Sequence, residues 1–158
     1  AIWPDFSEIS IRETPVMQYK AIRVGHKTRL ENRVITALPA EHSVPAVGYQ
    51  LDSGEASLVF TGDTTTNDAL WRAVNKITNL RYLIIETAFS NQEKRLAVLS
   101  KHLCPSLLGE ELAKLMREAS IYISHLKPGQ IELIMGEIEE CAGEFNPNML
   151  QNHQIFEF

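Results

Sequence analysis

The stretch Val59-Phe60-Thr61-Gly62-Asp63-Thr64 decides how this chain folds. Its apolar start reads as a buried strand, and the strand runs straight into Gly-Asp. That places the carboxylate of Asp63 at the strand's carboxyl end. A side chain there is held rigidly yet faces a crevice, which is where α/β folds usually place ligands. Two other stretches share the design. Ala40-Glu41-His42-Ser43-Val44-Pro45 and Ile121-Tyr122-Ile123-Ser124-His125-Leu126 each set an imidazole at the end of an expected strand. Carboxylate and imidazole are the ligands expected for zinc, iron or manganese. Taken singly, each residue also has a plain structural reading. An Asp after Gly is commonly a turn or helix-cap residue, and a His after a strand is commonly a satisfied surface residue. Spacing alone does not make the three converge.

Around this stretch the chain alternates. Ala21 to Val24 and Arg33 to Leu38 read as strands separated by a polar turn over Gly25 to Asn32. Ala46 to Leu51 and Ser57 to Thr61 read as a hairpin through Asp52-Ser53-Gly54. Asn67 to Thr78 is an expected helix, with Leu70, Val74 and Ile77 on one face and Asn67 or Asp68 as cap. Tyr82 to Glu86 is a short buried strand. Cys104 to Glu118 reads as a helix with Pro105 in its first turn and a stripe of Leu107, Leu108, Leu112, Leu115 and Met116. A strand over Ile121 to Ser124, a helix over Gln130 to Cys141 and a closing strand over Gln154 to Phe158 complete the pattern. Strands alternating with helices predict an α/β fold, a sheet covered by helices.

Composition sets the limits. A chain of 158 residues with 44% hydrophobic residues fits one packed domain. Its longest apolar runs fall far short of the roughly 20 residues that span a bilayer. Fifteen Lys and Arg against 20 Asp and Glu give a net charge of −5. That balance argues against broad nucleic-acid binding, which needs a basic face. It leaves room for an anionic small molecule, because a bound metal reverses the local field. Cys104 and Cys141 have neither disulfide-framework nor thiolate-zinc spacing and read as free thiols in a reducing compartment, with a single structural pair as the alternative.

A fourth position carries chemistry. His102 in Ser100-Lys101-His102-Leu103 sits just before the Pro105 helix. There it could donate a proton to a phosphate ester or stabilise its developing charge. Its plain reading is an exposed loop histidine. His26 and His153 lie in polar surroundings and receive no role.

Glu41-His42-Ser43-Val44-Pro45-Ala46-Val47-Gly48-Tyr49 followed by Phe60-Thr61-Gly62-Asp63-Thr64 resembles the second half of the metallo-β-lactamase superfamily. Three further stretches narrow this to class II cyclic-nucleotide phosphodiesterases: Ile85-Glu86-Thr87-Ala88-Phe89-Ser90, Ser100-Lys101-His102-Leu103 and Ser124-His125-Leu126-Lys127-Pro128-Gly129. The opening Ile2-Trp3-Pro4-Asp5-Phe6 suits the same family. The resemblance implies an αββα sandwich, with two sheets between outer helices and metals at one edge. It implies that His42 binds one metal, Asp63 bridges both and His125 binds the second. His102 matches a non-ligand histidine, shared with tRNA 3′-processing nucleases, that assists at the scissile phosphate. Glu86 would orient His102 as a partner behind the site. Lys127, beside His125, either holds a substrate phosphate or is simply solvated.

One departure shapes the rest. The superfamily's first motif, His-x-His-x-Asp-His, does not occur in this chain. The expectation is therefore that residues 1–158 are the C-terminal portion of a single metallo-β-lactamase-like domain, inactive alone, with the missing N-terminal half as partner. Completed, the resemblance implies two divalent ions, zinc first and manganese or iron as alternatives. A hydroxide bridging them would convert 3′,5′-cyclic AMP or GMP to the nucleoside 5′-monophosphate. A tRNA 3′-processing endonuclease is the alternative enzyme. A non-catalytic half-domain that assembles with another chain is the alternative outside enzymes. The expected setting is cytoplasmic, with the periplasm as alternative; a homodimer is compatible, and a membrane or nucleic-acid partner is not expected.

Overall fold

The structure, a computed structural model, describes residues 5–158. The Ile2-Trp3-Pro4 part of the family-like opening lies outside the described residues. Among the described residues, nine strands form a small ribbon, β1 (Ser10–Ile11) with β2 (Thr14–Pro15), and one seven-stranded sheet. The sheet runs in order β3 (Lys27–Leu30), β4 (Arg33–Pro39), β5 (Val47–Asp52), β6 (Ser57–Phe60), β7 (Leu80–Glu86), β8 (Ser120–Ser124) and β9 (Asn148–Met149). Strands β3 to β6 pair antiparallel, and β6 to β9 pair parallel. The change of pattern follows from the connections. Short hairpins join the first four strands, while helices make the crossovers that parallel pairing requires. Those helices are α1 (Asp68–Val74), α2 (Lys94–Ser100), α3 (Pro105–Leu112) and α4 (Ile131–Ala142).

Strand alternation divides the sheet into two faces. Leu38, Val59, Leu83, Ile85, Ile121 and Ile123 point to one face and form a single core with Leu70 and Val74 of α1, Ala97 of α2, Leu108 of α3 and Ile134 of α4. All four helices therefore cover the same face. The other face carries Ile35, Tyr49, Leu51, Leu58, Phe60, Ile84 and Tyr122, aligned by strand register. Phe60 there remains 38% exposed. Phe156 rests on this face, its ring 5.0 Å from that of Tyr82 and 4.9 Å from that of Tyr122.

The α/β class is as expected; several element boundaries are not. The strand expected at Ala21 to Val24 forms instead at Lys27–Leu30, inside the segment read as a turn. Two residues, Glu31 and Asn32, close the β3–β4 hairpin, with Glu31 left-handed at φ 54°. Every residue of β3 is exposed, so this edge strand has no apolar alternation to read. The helix expected to reach Glu118 ends at Leu112. Beyond it, Asn75 takes over the backbone, donating to the Lys114 carbonyl at 2.9 Å and accepting from Met116 N–H at 2.8 Å. Met116 thus leaves the stripe and is 81% exposed. The helix expected over Asn67 to Thr78 ends at Val74, and α2 was not anticipated. Gln154 to Phe158 is not a strand; β9 lies earlier. Among the described residues, no helix is long and apolar enough to cross a membrane.

Gly48 lets β5 approach β6 closely. A Cβ on it would lie 2.7 Å from the Thr61 carbonyl oxygen and 2.8 Å from that of Phe60. Both neighbours are backbone and cannot swing aside. Gly48→Ala should therefore cost about 1–3 kcal/mol of stability, as overpacking does. Urea unfolding would show it as a lower midpoint; an unchanged midpoint would mean that the two strands separate freely.

Candidate active site

Glu86 ends β7 and is 1% exposed. Its two oxygens take four partners. Oε1 accepts from Thr64 N–H at 3.1 Å and lies 2.7 Å from His102 Nδ1. Oε2 accepts from Ala88 N–H at 3.1 Å and Leu103 N–H at 3.3 Å. That fills the acceptor capacity of a carboxylate. Glu86 therefore draws the 63–65 loop, the segment after β7 and the 102–103 segment to one point.

Each segment delivers a side chain. Gly62, left-handed at φ 62°, turns the chain out of β6 so that Asp63 reaches the sheet edge. His125 follows β8 directly, and its Nδ1 lies 2.9 Å from Asp63 Oδ1. His125 itself is left-handed at φ 62°. For a residue with a Cβ this conformation costs of order 1–3 kcal/mol and clusters at functional sites. His102 follows Lys101, which caps α2 in the left-handed conformation. His42 is brought in by the Asp63 loop: Glu41 N–H donates to Thr64 Oγ1 at 2.9 Å, and Thr65 N–H donates to the Glu41 carbonyl at 2.9 Å.

The three imidazoles form one group. The His102 ring centre lies 4.8 Å from that of His42 and 5.0 Å from that of His125, both edge-on. Candidate ligand atoms of Asp63, Glu86, His102 and His125 all fall within 4.8 Å of one another. His42 stands outside that tight set, against His102. Its Nδ1 lies 3.2 Å from the Lys101 carbonyl and donates to it, which leaves Nε2 as the basic nitrogen. His102 likewise has Nδ1 committed to Glu86 and only Nε2 open. Glu86, with four partners, orients rather than ligates. One carboxylate and several imidazoles, each fixed by a hydrogen bond behind it, is a donor set that a divalent cation fits. A cavity lined by Ser124, Leu126, Gln151 and Asn152 lies beside His125.

Protonation follows burial. Burial pushes the Glu86 carboxyl up to about 8, while the Leu103 and Thr64 N–H groups pull it down. Burial pushes His102 down from its ordinary value, and the Asp63 carboxylate pulls it up. The proton between Glu86 and His102 thus belongs to the pair.

Of the residues singled out from the sequence, Asp63, His42, His102, His125 and Glu86 come together. Lys127 is nearby but engaged: its Nζ lies 2.9 Å from Glu93 Oε1 and 5.2 Å from the Phe89 ring centre. Phe89 in turn lies 5.7 Å from the His102 ring. Glu93 and the bridging Thr64 were missed, and no local pattern marks either one. Cys104 and Cys141 are both free, as expected.

No family model matches the sequence, and no curated protein matches it. Solved structures do match in fold. Unliganded yeast PDE1 aligns at a TM-score of 0.68 and 16% identity, over 84% of this chain and 48% of that one. The metallo-β-lactamase fold protein YhfI from Bacillus subtilis aligns at 0.72 and 17% identity, over 96% of this chain and 60% of that one. The fold is that of the metallo-β-lactamases. Human tRNase Z, short form, aligns at 0.52 and 18% identity, over 65% of this chain and 39% of that one. The chain thus spans about half the length of the first two structures. The seven-stranded sheet carries all four helices on one face.

Glu86 also makes a pH prediction. Its folded value near 8 lies above the roughly 4.3 of an unfolded glutamic acid. Its contribution to stability is therefore complete below that unfolded value and is lost as pH rises through about 8. The stability difference between wild type and Glu86→Gln should shrink steadily from pH 5 to pH 8.5. A difference that stays constant over this range in urea unfolding would show that Glu86 is ionised in the folded protein throughout.

Proposed function

We propose that residues 1–158 are the C-terminal portion of a metal-dependent phosphodiesterase that hydrolyses 3′,5′-cyclic nucleotides to nucleoside 5′-monophosphates. The observation that carries this reading is the Glu86–His102 pair, 2.7 Å apart, beside Asp63 and His125. A histidine held from behind by a buried carboxylate is built to deliver a proton to a leaving oxygen. The other residues fit a divalent cation. Asp63, His42 and His125 would hold it, together with ligands from an N-terminal half. Bound cations would supply an activated water at neutral pH and neutralise charge on the phosphate.

The chain's own groups then have distinct tasks. Glu86 fixes the His102 ring and leaves Nε2 toward the site. His102 Nε2 donates its proton to the departing 3′ oxygen, and Glu86 stabilises the charged imidazole that precedes the transfer. Lys127 would turn from Glu93 toward a substrate phosphate. The N-terminal half would cover the sheet face that holds Phe60, completing the sandwich. The two free thiols fit a cytoplasmic setting. The same Glu86–His102 pair also suits RNA phosphodiester cleavage, and the likeness to tRNase Z keeps that reading as the alternative.

The test uses the full-length protein. Asp63→Ala should lower metal content and nearly abolish turnover of cyclic AMP and cyclic GMP. His102→Ala should keep the metal and slow hydrolysis by roughly two to four decades. Metal analysis and steady-state rates on the same samples separate the two effects. Full activity in His102→Ala would return His102 to a structural role. Cleavage of a tRNA precursor without cyclic-nucleotide hydrolysis would favour the nuclease.

A further inference from the structure

Glu111 stands where the helix pattern calls for an apolar residue. It shares the inward stripe of α3 with Leu107, Leu108 and Leu112 and is 2% exposed. Burying a carboxylate is costly unless it is paired and hydrogen-bonded. Glu111 is both. Its Oε2 accepts from Asn67 N–H at 2.9 Å and from the Trp71 indole Nε1–H at 2.6 Å. Its Oε1 accepts from Lys114 Nζ at 2.5 Å, and Lys114 also reaches Asp68 at 2.7 Å.

What these bonds hold gives the residue its interest. Asn67 closes the loop that carries Asp63. Its Oδ1 accepts from Leu70 N–H at 3.1 Å and so starts α1. Its Nδ2 donates to the Pro39 carbonyl at 3.3 Å. Pro39 is the last residue of β4, just ahead of the segment that bears His42. Asn67 therefore ties two ligand-bearing segments together, and Glu111 fixes Asn67. The Asp63 loop is gripped at both ends by buried carboxylates: Glu86 holds Thr64 N–H, and Glu111 holds Asn67 N–H. The helix that bears Glu111 also begins at Pro105, three residues after His102.

We propose that Glu111 is a positioning residue for the active site: by holding Asn67 it sets where Asp63 and His42 stand relative to His102. This rests on the reading that Asp63, His42 and His125 hold a metal. A carboxylate that merely anchored the core would affect stability and nothing at the site.

The experiment compares Glu111→Ala, Glu111→Gln and Glu111→Asp in the full-length protein, with Ile138→Val on α4 as a core control. Zinc affinity is measured by competition with a chromophoric chelator. kcat and KM for cyclic AMP are measured alongside, and folding is checked by circular dichroism. Glu111→Ala should weaken zinc binding about tenfold or more, the scale on which groups behind a metal site act. Glu111→Gln should restore most of the affinity, because its amide oxygen can accept from both Asn67 N–H and the Trp71 indole while Lys114 turns to solvent. Ile138→Val should lower stability and leave zinc affinity unchanged. If Glu111→Ala does not fold, Glu111→Asp carries the test, since it keeps the charge but cannot reach Asn67. Wild-type zinc affinity and kcat in a folded Ala or Asp variant would overturn the proposal. Wild-type zinc affinity in Asp63→Ala and His125→Ala would instead overturn the metal-site reading on which it rests.

Discussion

The whole site depends on one buried carboxylate with four partners. Glu86 sits at the carboxyl end of a central parallel strand, almost without solvent contact. Isolated there, it would be strongly destabilising. Three backbone N–H groups and the His102 imidazole make the position tenable, and the requirement runs both ways. The Thr64 and Leu103 N–H groups would be left without an acceptor if Glu86 were removed, at about 1–3 kcal/mol each, while Ala88 N–H would keep the Leu103 carbonyl at 3.2 Å. The segments that bring Asp63, Phe89 and His102 are thus fixed by a shared need for hydrogen-bond partners. Apolar packing alone would not specify their orientation.

Sheet topology decides why that meeting point can serve a ligand. Two successive parallel pairings put the carboxyl ends of β6, β7 and β8 on one edge, so Asp63, Glu86 and His125 arrive side by side. The antiparallel half contributes through β4, which also ends at this edge and leads into His42. Close approach of backbone to backbone makes the arrangement tight, which is why glycine occupies position 48 and the turn at position 62. With every helix packed on one face of the sheet, the opposite face is left to the aromatic residues Tyr82, Tyr122 and Phe156 and to a partly exposed Phe60.

The parts that were legible in the sequence share one property: their signal is local. A buried strand running into Thr-Gly-Asp, or into Ser-His, announces both the strand and the chemistry at its end. The apolar stripes of α3 and α4 are local in the same way. What escaped depends on distant partners. The edge strand β3 is exposed throughout, Leu30 included, because the chain pairs it on one side only, so its sequence carries no apolar alternation. The early end of α3 is imposed by Asn75, some forty residues away. Lys127 looks free in the sequence, yet Glu93, 34 residues earlier, claims its ammonium. Glu111 did leave a local trace, a charged residue within a leucine stripe. A lone charge inside an otherwise apolar helix face is a reason to ask what it holds.

Charge around the site points toward a bound cation on grounds independent of fold. The Asp63 carboxylate sits among the histidines, 2.9 Å from His125 Nδ1, and Glu41 directly precedes His42. The two ammonium groups nearby are already engaged, Lys101 by Glu41 and Lys127 by Glu93. Among the described residues of this neighbourhood, negative charge therefore outweighs positive. A phosphate diester brought here would meet repulsion, and repulsion between like charges strengthens as water is excluded. Imidazolium could offset part of it, but burial disfavours the charged form of His102. A divalent cation held by Asp63 and the imidazoles would reverse the sign of the local field and turn the same carboxylates from a liability into its support. The acidic balance of the chain and an anionic substrate are then compatible, because the carboxylates that would repel the substrate are the groups that recruit the cation it needs.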